Sequence, residues 1–319
     1  MSSDAEVLRE VLTDHGFSCG SIEPIATGKH NNTYTIGLMD APAGVDGDRA
    51  ILRVAPSDDA GFVFYERNMM SREAAIHAEV MQHTTIPVPT IYVYDDSREV
   101  IDRSFLIMEF MPGKPLSDVE LSPDQRRSTM EALGGHLRQL HDRCTSERFG
   151  YPEGPCDSPR WTRWPEAFFS MWDRMIWDIE NCGVYGPEEG KWARKALRSG
   201  AGAFKQRRRA SLLHMDIWAQ NILVNPGGEI TAILDWDRAL WGDPEIEFAI
   251  LDYVDFNTCS FWRGYGSPPP AGEAAGVRAL FYHLYEVQKY LVIWTLRGGA
   301  NEGRIRRYRD DSLRLLGMK

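Results

Sequence analysis

The sequence predicts an α+β fold with two lobes, a small one built on a β-sheet and a larger one that is mainly helical. The chain has 319 residues, which is more than a single compact core usually holds. Strand-like segments concentrate in the first third, whereas apolar residues recur at helical spacing through much of the rest. The change of pattern near residue 113 predicts a first lobe over residues 1–112 and a second over residues 113–319.

The first lobe is expected to hold a short helix, five strands and one main helix. Ser3 and Glu6 form a capping box that opens the short helix, which ends at Gly16. The main helix is predicted from Ser71 to His83, before a segment whose prolines cannot continue it. The strands are predicted over residues 21–27, 32–38, 50–55, 90–95 and 104–109. The stretch "GKHN" between the first two strands is typical of a hairpin turn.

The second lobe is expected to contain several helices and a few short strands. A long helix carries an apolar stripe from Leu280 to Trp294 and is closed by Gly298 and Gly299. Other helices are predicted over residues 122–142, 164–180 and 188–204. Short strands are predicted over residues 210–213, 222–225 and 230–234. The stretch "GSPPPAGEAAG" (266–276) is predicted to be a surface loop.

Composition and charge argue against several classes of function. The formal net charge is -10 and the pI about 5.4, so a nonspecific nucleic-acid binder with a basic face is not expected. The longest apolar stretches fall far below the ~20 residues that span a bilayer, and the N-terminus lacks the pattern of a signal peptide. Five scattered cysteines fit neither a disulfide framework nor a zinc site. We therefore expect a cytoplasmic monomer or homodimer that handles small molecules or metal ions.

The stretch "LLHMDIWAQNILV" (212–224) places polar residues between two short strands. Asp216 and Asn221 have the Asp…Asn spacing of kinase catalytic loops, and Asp235 follows at the end of the next strand. Taken alone, Asp216 and Asn221 would also suit a turn, but the second carboxylate favours phosphoryl transfer. In that reaction Asp216 is the base that accepts the proton of the acceptor hydroxyl. Asn221 and Asp235 supply the oxygen ligands that Mg²⁺ prefers.

Residues 214–249, "HMDIWAQNILVNPGGEITAILDWDRALWGDPEIEFA", resemble the signature of the aminoglycoside phosphotransferase family. The usual pattern of that family is H-G-D-x-x-x-x-N, followed by I-D-W and G-D-P. Weaker matches such as "FLIMEFMPGKPL" and "LGGHLRQLH" occur in the expected order. The family includes choline, homoserine and fructosamine kinases and hygromycin and macrolide phosphotransferases. The resemblance implies a protein-kinase-like bilobal fold. Its first lobe, with the hinge, binds MgATP or MgGTP, and its second lobe holds the catalytic residues and a hydroxyl-bearing small molecule.

The resemblance also assigns roles to single residues. Asp216 resembles the catalytic base, and Asn221 and Asp235 resemble the Mg²⁺ ligands. His214 resembles the residue that supports the catalytic loop. Arg53, in the strand "AILRVA", stands where the family has the residue that grips the nucleotide phosphates. An exposed strand cation is the alternative for Arg53.

Further positions resemble the nucleotide site of the family. Glu73 matches the helix acid that pairs with the strand cation, and an ordinary surface acid is the alternative. Glu109 and Met111, in "MEFM", resemble the linker whose backbone carbonyl and amide bind the purine. The stretch "GKHNNTY" resembles the nucleotide-positioning loop and contributes Gly28, Lys29 and Asn32.

Two residues depart from the family pattern. Met215 replaces the glycine that usually follows the loop histidine, which removes a flexible position and constrains the loop. Glu247 replaces the aspartate that usually follows G-D-P-x-x and braces the loop from behind. Neither departure touches the three chemical residues. We therefore expect an active enzyme, with a non-catalytic nucleotide-binding regulator as an alternative.

The sequence leaves the acceptor open. Seven acids and one base, Arg238, lie between residues 235 and 255, and acids that face the cleft would suit a polycationic aminoglycoside. Nearby aromatic residues would equally suit a nucleoside or a macrolide. Asp237, Glu245 and Trp236 are the candidate acceptor contacts. We predict an antibiotic phosphotransferase that confers resistance, with a metabolite kinase acting on choline, homoserine or a sugar-like compound as the alternative.

Overall fold

The first part of the chain folds into a five-stranded antiparallel sheet with two helices. A computed structural model describes residues 4–25, 31–56, 61–67, 69–152, 160–204 and 209–318. The elements are α1 (Asp4–Asp14), β1 (Ser18–Ile25), β2 (Asn32–Asp40), β3 (Arg49–Val54), α2 (Met69–His83), β4 (Ile91–Asp95) and β5 (Phe105–Glu109). The strand order is β1-β2-β3-β5-β4. Each predicted element has a counterpart, while Ser3 of the capping box, residues 26–27 at the end of the first predicted strand and residues 28–30 of the hairpin turn lie outside the described residues.

Strand β3 lies at the centre of this sheet and is buried on both faces. Leu52 and Val54 pack in the core that includes α1, whereas Ile51 packs in the opposite layer with Met70 of α2. Side chains alternate along a strand, so Arg53 shares the face of Ile51. The alternation therefore directs the guanidinium towards α2.

Helices make up most of the second part, together with two small three-stranded sheets. The helices are α3 (Pro123–Arg143), α4 (Trp164–Asn181), α5 (Pro187–Ser199), α6 (Pro244–Tyr253), α7 (Cys259–Tyr265), α8 (Glu273–Arg297) and α9 (Glu302–Leu315). The strands are β6 (Lys114–Pro115), β7 (Thr145–Ser146), β8 (Ala210–Leu213), β9 (Ile222–Val224), β10 (Ile230–Ile233) and β11 (Leu240–Gly242). The sheets have the orders β10-β9-β6 and β11-β8-β7. Among the described helices, none combines the length and the apolar character that crossing a bilayer requires.

The second part differs from the sequence prediction in its helices, its strands and one loop. Strands β6, β7 and β11 add to those predicted, and residues 273–276 of the predicted surface loop belong to α8. The helix predicted over residues 188–204 is too long, because α5 ends at Ser199 and a 3₁₀ turn, Ala201–Ala203, follows the capping residue Gly200. Helices α6, α7 and α9 add to those predicted. The apolar pattern of α9 is weak, since only Ser312 and Leu313 of this helix are buried. The mixed α+β class itself is confirmed.

A segment between β3 and α2 crosses from the first part into the core of the second. We call residues 61–67 the strap. Val63, Phe64 and Tyr65 are buried in the core that α4 and α8 build. The backbone amide of Phe64 donates a hydrogen bond of 2.7 Å to Oδ2 of Asp178 on α4. A stretch of the predicted first lobe therefore contributes to the core of the second.

Helices α3 and α7 cross in close contact at Gly134. A Cβ atom on this residue would lie 2.1 Å from the carbonyl oxygen of Phe261, so only glycine permits the approach. The crossing brings His141 of α3 to Tyr265 of α7, with 2.9 Å between Nδ1 and the hydroxyl oxygen. The position of His141 matters for the site described below.

We expect Gly134→Ala to lower the free energy of unfolding by about 1–3 kcal/mol, the usual cost of overpacking, because the two helices must separate. Gly135→Ala is the matched control, since the nearest atom to its added Cβ would be 3.8 Å away. Alanine at this second helix position should instead stabilise the protein by roughly 0.5–1 kcal/mol. Chemical denaturation of both variants measures the difference. Equal effects would contradict the close crossing.

Candidate active site

The loop between β8 and β9, residues 214–221, brings Asp216 and Asn221 together. The amide nitrogen of Asn221 donates hydrogen bonds of 2.9 Å to both the backbone oxygen and Oδ2 of Asp216. Asn221 is buried, whereas 29% of the Asp216 side chain is exposed. Because the amide nitrogen is engaged, the carbonyl oxygen of Asn221 is the atom that remains for a cation.

His214 connects this loop to the end of β10. Its Nδ1 atom accepts a hydrogen bond of 3.2 Å from the Asp216 backbone amide, and its Nε2 atom donates one of 2.9 Å to the Leu234 carbonyl. An amide can only donate and a carbonyl can only accept, so the two bonds specify a neutral ring with its proton on Nε2. Burial lowers the pKa of His214, which agrees with the neutral form. The contacts place His214 where it can support the loop.

The 214–221 loop turns sharply at Met215, and Glu247 of α6 holds the turn. The φ of Met215 is 64°, in the left-handed region that favours glycine. The backbone amides of His214 and Met215 both donate to Oε1 of Glu247, at 2.8 and 2.7 Å. Oε2 of Glu247 contacts Nε2 of His141 at 2.7 Å. Glu247 thus lies behind the loop, and its hydrogen bonds satisfy a carboxylate that is wholly buried.

Arg53 lies among three carboxylates. It contacts Glu73 of α2 through Nη1, and its Nη2 atom lies 2.8 Å from Oδ1 of Asp235 and 3.2 Å from Oδ2 of Asp237. Burial by itself lowers the pKa of Arg53, but the three carboxylates outweigh it and raise the pKa, so the guanidinium stays charged. Burial and the charge of Asp235 raise the pKa of Asp237 well above its ordinary value. Arg53 is therefore a buried, paired cation, not an exposed one.

Asp235 is the accessible member of this cluster, with 39% of its side chain exposed. Its φ of 66° also lies in the left-handed region, a conformation that is costly for a residue other than glycine and that clusters at functional sites. Arg53 links Asp235 to the first part of the chain. The structure thus brings residues of β3, α2 and the end of β10 to one place.

The remaining predicted nucleotide contacts lie along the edge and end of the first sheet. Asn32 is exposed at the start of β2. Glu109 ends β5, where its Oε2 accepts a hydrogen bond of 3.0 Å from the Thr90 amide. Met111 is half-buried two residues later. Gly28 and Lys29 lie outside the described residues.

The three candidate acceptor contacts have other roles in the structure. Trp236 is fully buried, donates to the Ile233 carbonyl and packs against His214, so it offers no surface to an acceptor. Both carboxylate oxygens of Glu245 are engaged by Arg278, at 2.7 and 3.0 Å. Asp237 is buried against Arg53. The three side chains are therefore engaged in internal packing and ion pairs.

Other acids from this stretch of sequence are also committed. Asp243 is wholly buried and caps α6, and Glu247 holds the 214–221 loop. Asp252 is exposed and accepts a hydrogen bond from Asn257. These three acids are therefore engaged within the protein and do not point towards an acceptor.

Sequence reasoning missed the cations that surround Asp216. Arg238 lies 3.0 Å from Oδ1 of Asp216, and Glu286 and Lys289 of α8 follow behind it. Burial by itself raises the pKa of Asp216, but the charges of Arg238 and Lys289 outweigh it, so the pKa is lowered. Arg238 could be suspected as the single base in an acidic stretch. Glu286 and Lys289 interrupt the apolar pattern of α8, and this interruption was the only sign in the sequence that they have a special role.

A family description, "Phosphotransferase enzyme family", matches residues 21–274, which is more than half of the chain. The chain belongs to this phosphotransferase family. The phosphotransferase is 25% identical over 234 residues to "Probable ketoamine kinase" of Klebsiella aerogenes, over 72% of this chain and 75% of that protein. The match confirms the predicted family resemblance and the prediction of a phosphotransferase.

Solved structures share the fold of the phosphotransferase. The crystal structure named "Putative fructosamine-3-kinase", from Haemophilus somnus, has a TM-score of 0.68 at 18% identity and covers 98% of this chain and 95% of that chain. A thermostable mutant of aminoglycoside phosphotransferase APH(4)-Ia, in a ternary complex with ADP and hygromycin B, has a TM-score of 0.66 at 19% identity. That alignment covers 98% of this chain and 99% of that chain. The predicted protein-kinase-like fold is thereby confirmed.

We expect Glu247→Asp to lower kcat on the order of 10- to 100-fold, because the shorter carboxylate no longer reaches both loop amides and His141, and small misplacements of reacting groups are costly. Asp252→Asn, an exposed change on the same helix, is the control and should leave kcat unchanged. Steady-state kinetics of both variants, with circular dichroism to establish folding, provide the measurement. A folded Glu247→Asp enzyme with full kcat would contradict the bracing role.

Proposed function

We propose that this phosphotransferase transfers the γ-phosphoryl group of ATP to a hydroxyl group of a small molecule. The observation that carries the proposal is the meeting of Asp216, Asn221 and Asp235 with Arg53, which come from separate segments of the chain. Phosphoryl transfer needs a group that orients the acceptor hydroxyl, oxygen ligands for a metal, and a cation on the phosphates. The four residues supply these requirements.

Asp216 is the proposed base of the reaction. Its carboxylate is partly exposed, and the surrounding cations keep it ionised. A low pKa suits a loose transition state, in which the base mainly orients the hydroxyl and takes its proton late. His214 and Glu247 hold the loop that carries Asp216.

The donor groups at Asn221 and Asp235 fit a hard divalent cation. An amide oxygen and a carboxylate are the ligands that Mg²⁺ favours, and it usually takes further ligands from phosphates and water. Within the described ranges, no three His, Cys, Asp or Glu residues cluster into a metal site of their own. We infer that Mg²⁺ arrives with the nucleotide, whose phosphate charge it neutralises.

The nucleotide is proposed to lie between the first sheet and Asp235. Arg53, held by Glu73, would present its guanidinium to phosphate oxygens, and the backbone of Glu109 and Met111 would bind the purine. ADP is bound in the APH(4)-Ia complex, which supports an adenine nucleotide. GTP is the second candidate, to be compared with ATP in the same assay.

A metabolite kinase that acts on a sugar-like compound, such as a ketoamine, is the acceptor class we favour. The similar protein of Klebsiella aerogenes carries that name. The charges around Asp216 also support it, since Arg238 and Lys289 balance Asp216 and Glu286. A polycationic aminoglycoside would call for an excess of acids. An antibiotic acceptor is the second candidate, supported by hygromycin B in the APH(4)-Ia complex.

A screen of hydroxyl-bearing compounds with MgATP and MgGTP tests the proposal. The panel contains fructose-derived ketoamines, choline, homoserine, aminoglycosides, nucleosides and macrolides, and mass spectrometry identifies phosphorylated products. Expression in a susceptible bacterium tests resistance in parallel. Phosphorylated ketoamine without resistance supports the metabolite kinase, whereas a phosphorylated antibiotic with resistance supports the second candidate. Nucleotide binding without any transfer would favour the non-catalytic regulator.

We expect Asp216→Asn to reduce turnover by ~10²–10⁴, the range for removal of a general base, and to leave nucleotide affinity within a few fold. The amide keeps the shape of the carboxylate but cannot accept the hydroxyl proton. Initial rates with the best acceptor and titration with a fluorescent ATP analogue separate the two effects. Retention of most of the turnover would show that another group acts as base.

Arg53→Ala should raise the nucleotide KM and lower kcat, because charge-assisted bonds to phosphate strengthen as charge develops in the transition state. Arg53→Lys should be partly active. Glu73→Ala should have a milder effect of the same kind, and the double variant should lose less than the sum of the two in logarithmic terms. Glu79→Ala, on α2, is the control, since Glu79 is paired with His83 at the end of the helix. Additive losses would indicate that Glu73 and Arg53 act independently.

A further inference from the structure

Buried charged side chains continue from Asp216 into α8. Nη1 of Arg238 lies 3.0 Å from Oδ1 of Asp216, and Nη2 lies 3.3 Å from each carboxylate oxygen of Glu286. Lys289 follows one turn along the helix and contacts Oε2 of Glu286 at 2.8 Å. The order is acid, base, acid, base, so the net charge of the chain of contacts is zero.

The burial of these groups is costly for the fold. Arg238, Glu286 and Lys289 are 8%, 4% and 7% exposed. Taking a charged group out of water costs several kcal/mol even in a relaxed protein, and apolar residues of similar size avoid that cost. Tyr285 and Leu291, in the same stretch of α8, pack in an apolar core beside these charges. The charges on α8 therefore need an explanation other than stability.

Glu286 determines how Arg238 meets Asp216. A guanidinium without other partners binds a carboxylate through two parallel N–H groups. Here Glu286 draws Nη2 away, so Arg238 contacts Oδ1 of Asp216 through Nη1, while Oδ2 accepts from Asn221. Each carboxylate oxygen can accept two hydrogen bonds, so both oxygens keep one site for an acceptor hydroxyl.

The strap also limits the movement of Arg238, through the ring of Tyr65. The Arg238 Cζ atom lies 5.0 Å from the centre of the Tyr65 ring, within the range of a cation–π contact. Tyr65 in turn stacks on Tyr151, with 5.4 Å between the ring centres. With its guanidinium against an aromatic ring, Arg238 has few other positions, and the carboxylate of Glu286 selects among them.

We propose that Glu286 is a positioning residue for the base Asp216, acting through Arg238, and that Lys289 balances its charge. The inference rests on the role proposed for Asp216. When Glu286 is lost, both Nη atoms of Arg238 are free to close on Asp216. The second N–H then joins the Asn221 hydrogen bond on Oδ2, so that only Oδ1 keeps a site for the acceptor hydroxyl.

The crystal structure of Glu286→Gln tests the geometry without any acceptor. An amide is a weaker partner than a carboxylate for a guanidinium. We expect Arg238 to contact both carboxylate oxygens of Asp216 in this variant. An unchanged single contact overturns the inference, even if the screen described above returns no acceptor and the proposed function fails.

Kinetics test the consequence for phosphoryl transfer. We expect Glu286→Gln to lower kcat about 10- to 100-fold, in line with misplacement of a reacting group, and to leave the affinity for a fluorescent ATP analogue with Mg²⁺ within about twofold. The readout is phosphorylation of the acceptor from the screen, or hydrolysis of MgATP by water if the screen returns none. Unchanged kcat, or an equal loss of nucleotide affinity, overturns the inference.

A double-mutant cycle separates positioning from a general structural effect. If Glu286 acts through Arg238, Glu286→Gln should have almost no effect on kcat in an Arg238→Ala background. The control cycle uses Glu180 and Arg194, a bidentate pair between α4 and α5 at 2.7–2.8 Å, whose removal should leave kcat unchanged. Equal losses from Glu286→Gln in both backgrounds overturn the inference.

A second variant covers the case in which Glu286→Gln does not fold. Glu286→Asp keeps the negative charge between Lys289 and Arg238, but its side chain is one methylene shorter, so the carboxylate lies farther from Arg238. We expect an intermediate loss of kcat, with folding established by urea denaturation. Full kcat in this variant overturns the inference, because the position of the carboxylate would then be immaterial.

Discussion

The buried guanidinium of Arg53 is the interaction on which the arrangement of the site depends. Glu73 of α2 binds it from one side, and Asp235 and Asp237 of the second part bind it from the other. A buried charge that loses its partners is strongly destabilising, so the three elements are held together around it. Phosphate oxygens carry the same sign of charge as Asp235. In the proposed reaction a nucleotide can therefore share the guanidinium without leaving it unpaired.

The 214–221 loop is held by a different kind of interaction, a buried carboxylate behind its backbone. Glu247 accepts hydrogen bonds from two successive amides, one of which belongs to Met215 in the left-handed region. A residue other than glycine persists in this conformation only when its surroundings specify it. His141 supports Glu247, and the close crossing at Gly134 supports the helix that carries His141. The two departures from the family pattern thus meet in one hydrogen-bonded unit.

The surroundings of Asp216 bear on the acceptor through their charge. The composition is acidic, yet the acids near the 214–221 loop are engaged by arginines, by backbone amides or by a helix N-terminus. Arg238 and Lys289 balance Asp216 and Glu286. These four groups together carry no net charge to attract a polycation, whereas hydroxyl groups can bind both donors and acceptors among them. The balance is the physical basis for favouring a sugar-like acceptor.

The sequence by itself determined the residues that carry the proposed chemistry, because Asp216, Asn221 and Asp235 lie in one loop and at one strand end. It also placed Arg53 on the correct face of β3, because side chains alternate along a strand. Only the tertiary structure decided the partners. Trp236 is an aromatic residue that the sequence predicts to contact the acceptor, but in the structure it lies in the core. Glu286 has the local pattern of any helix acid, and its contact with Arg238 depends on how α8 packs. Local sequence specifies residue type and periodicity, but burial and pairing depend on elements that are distant in the chain.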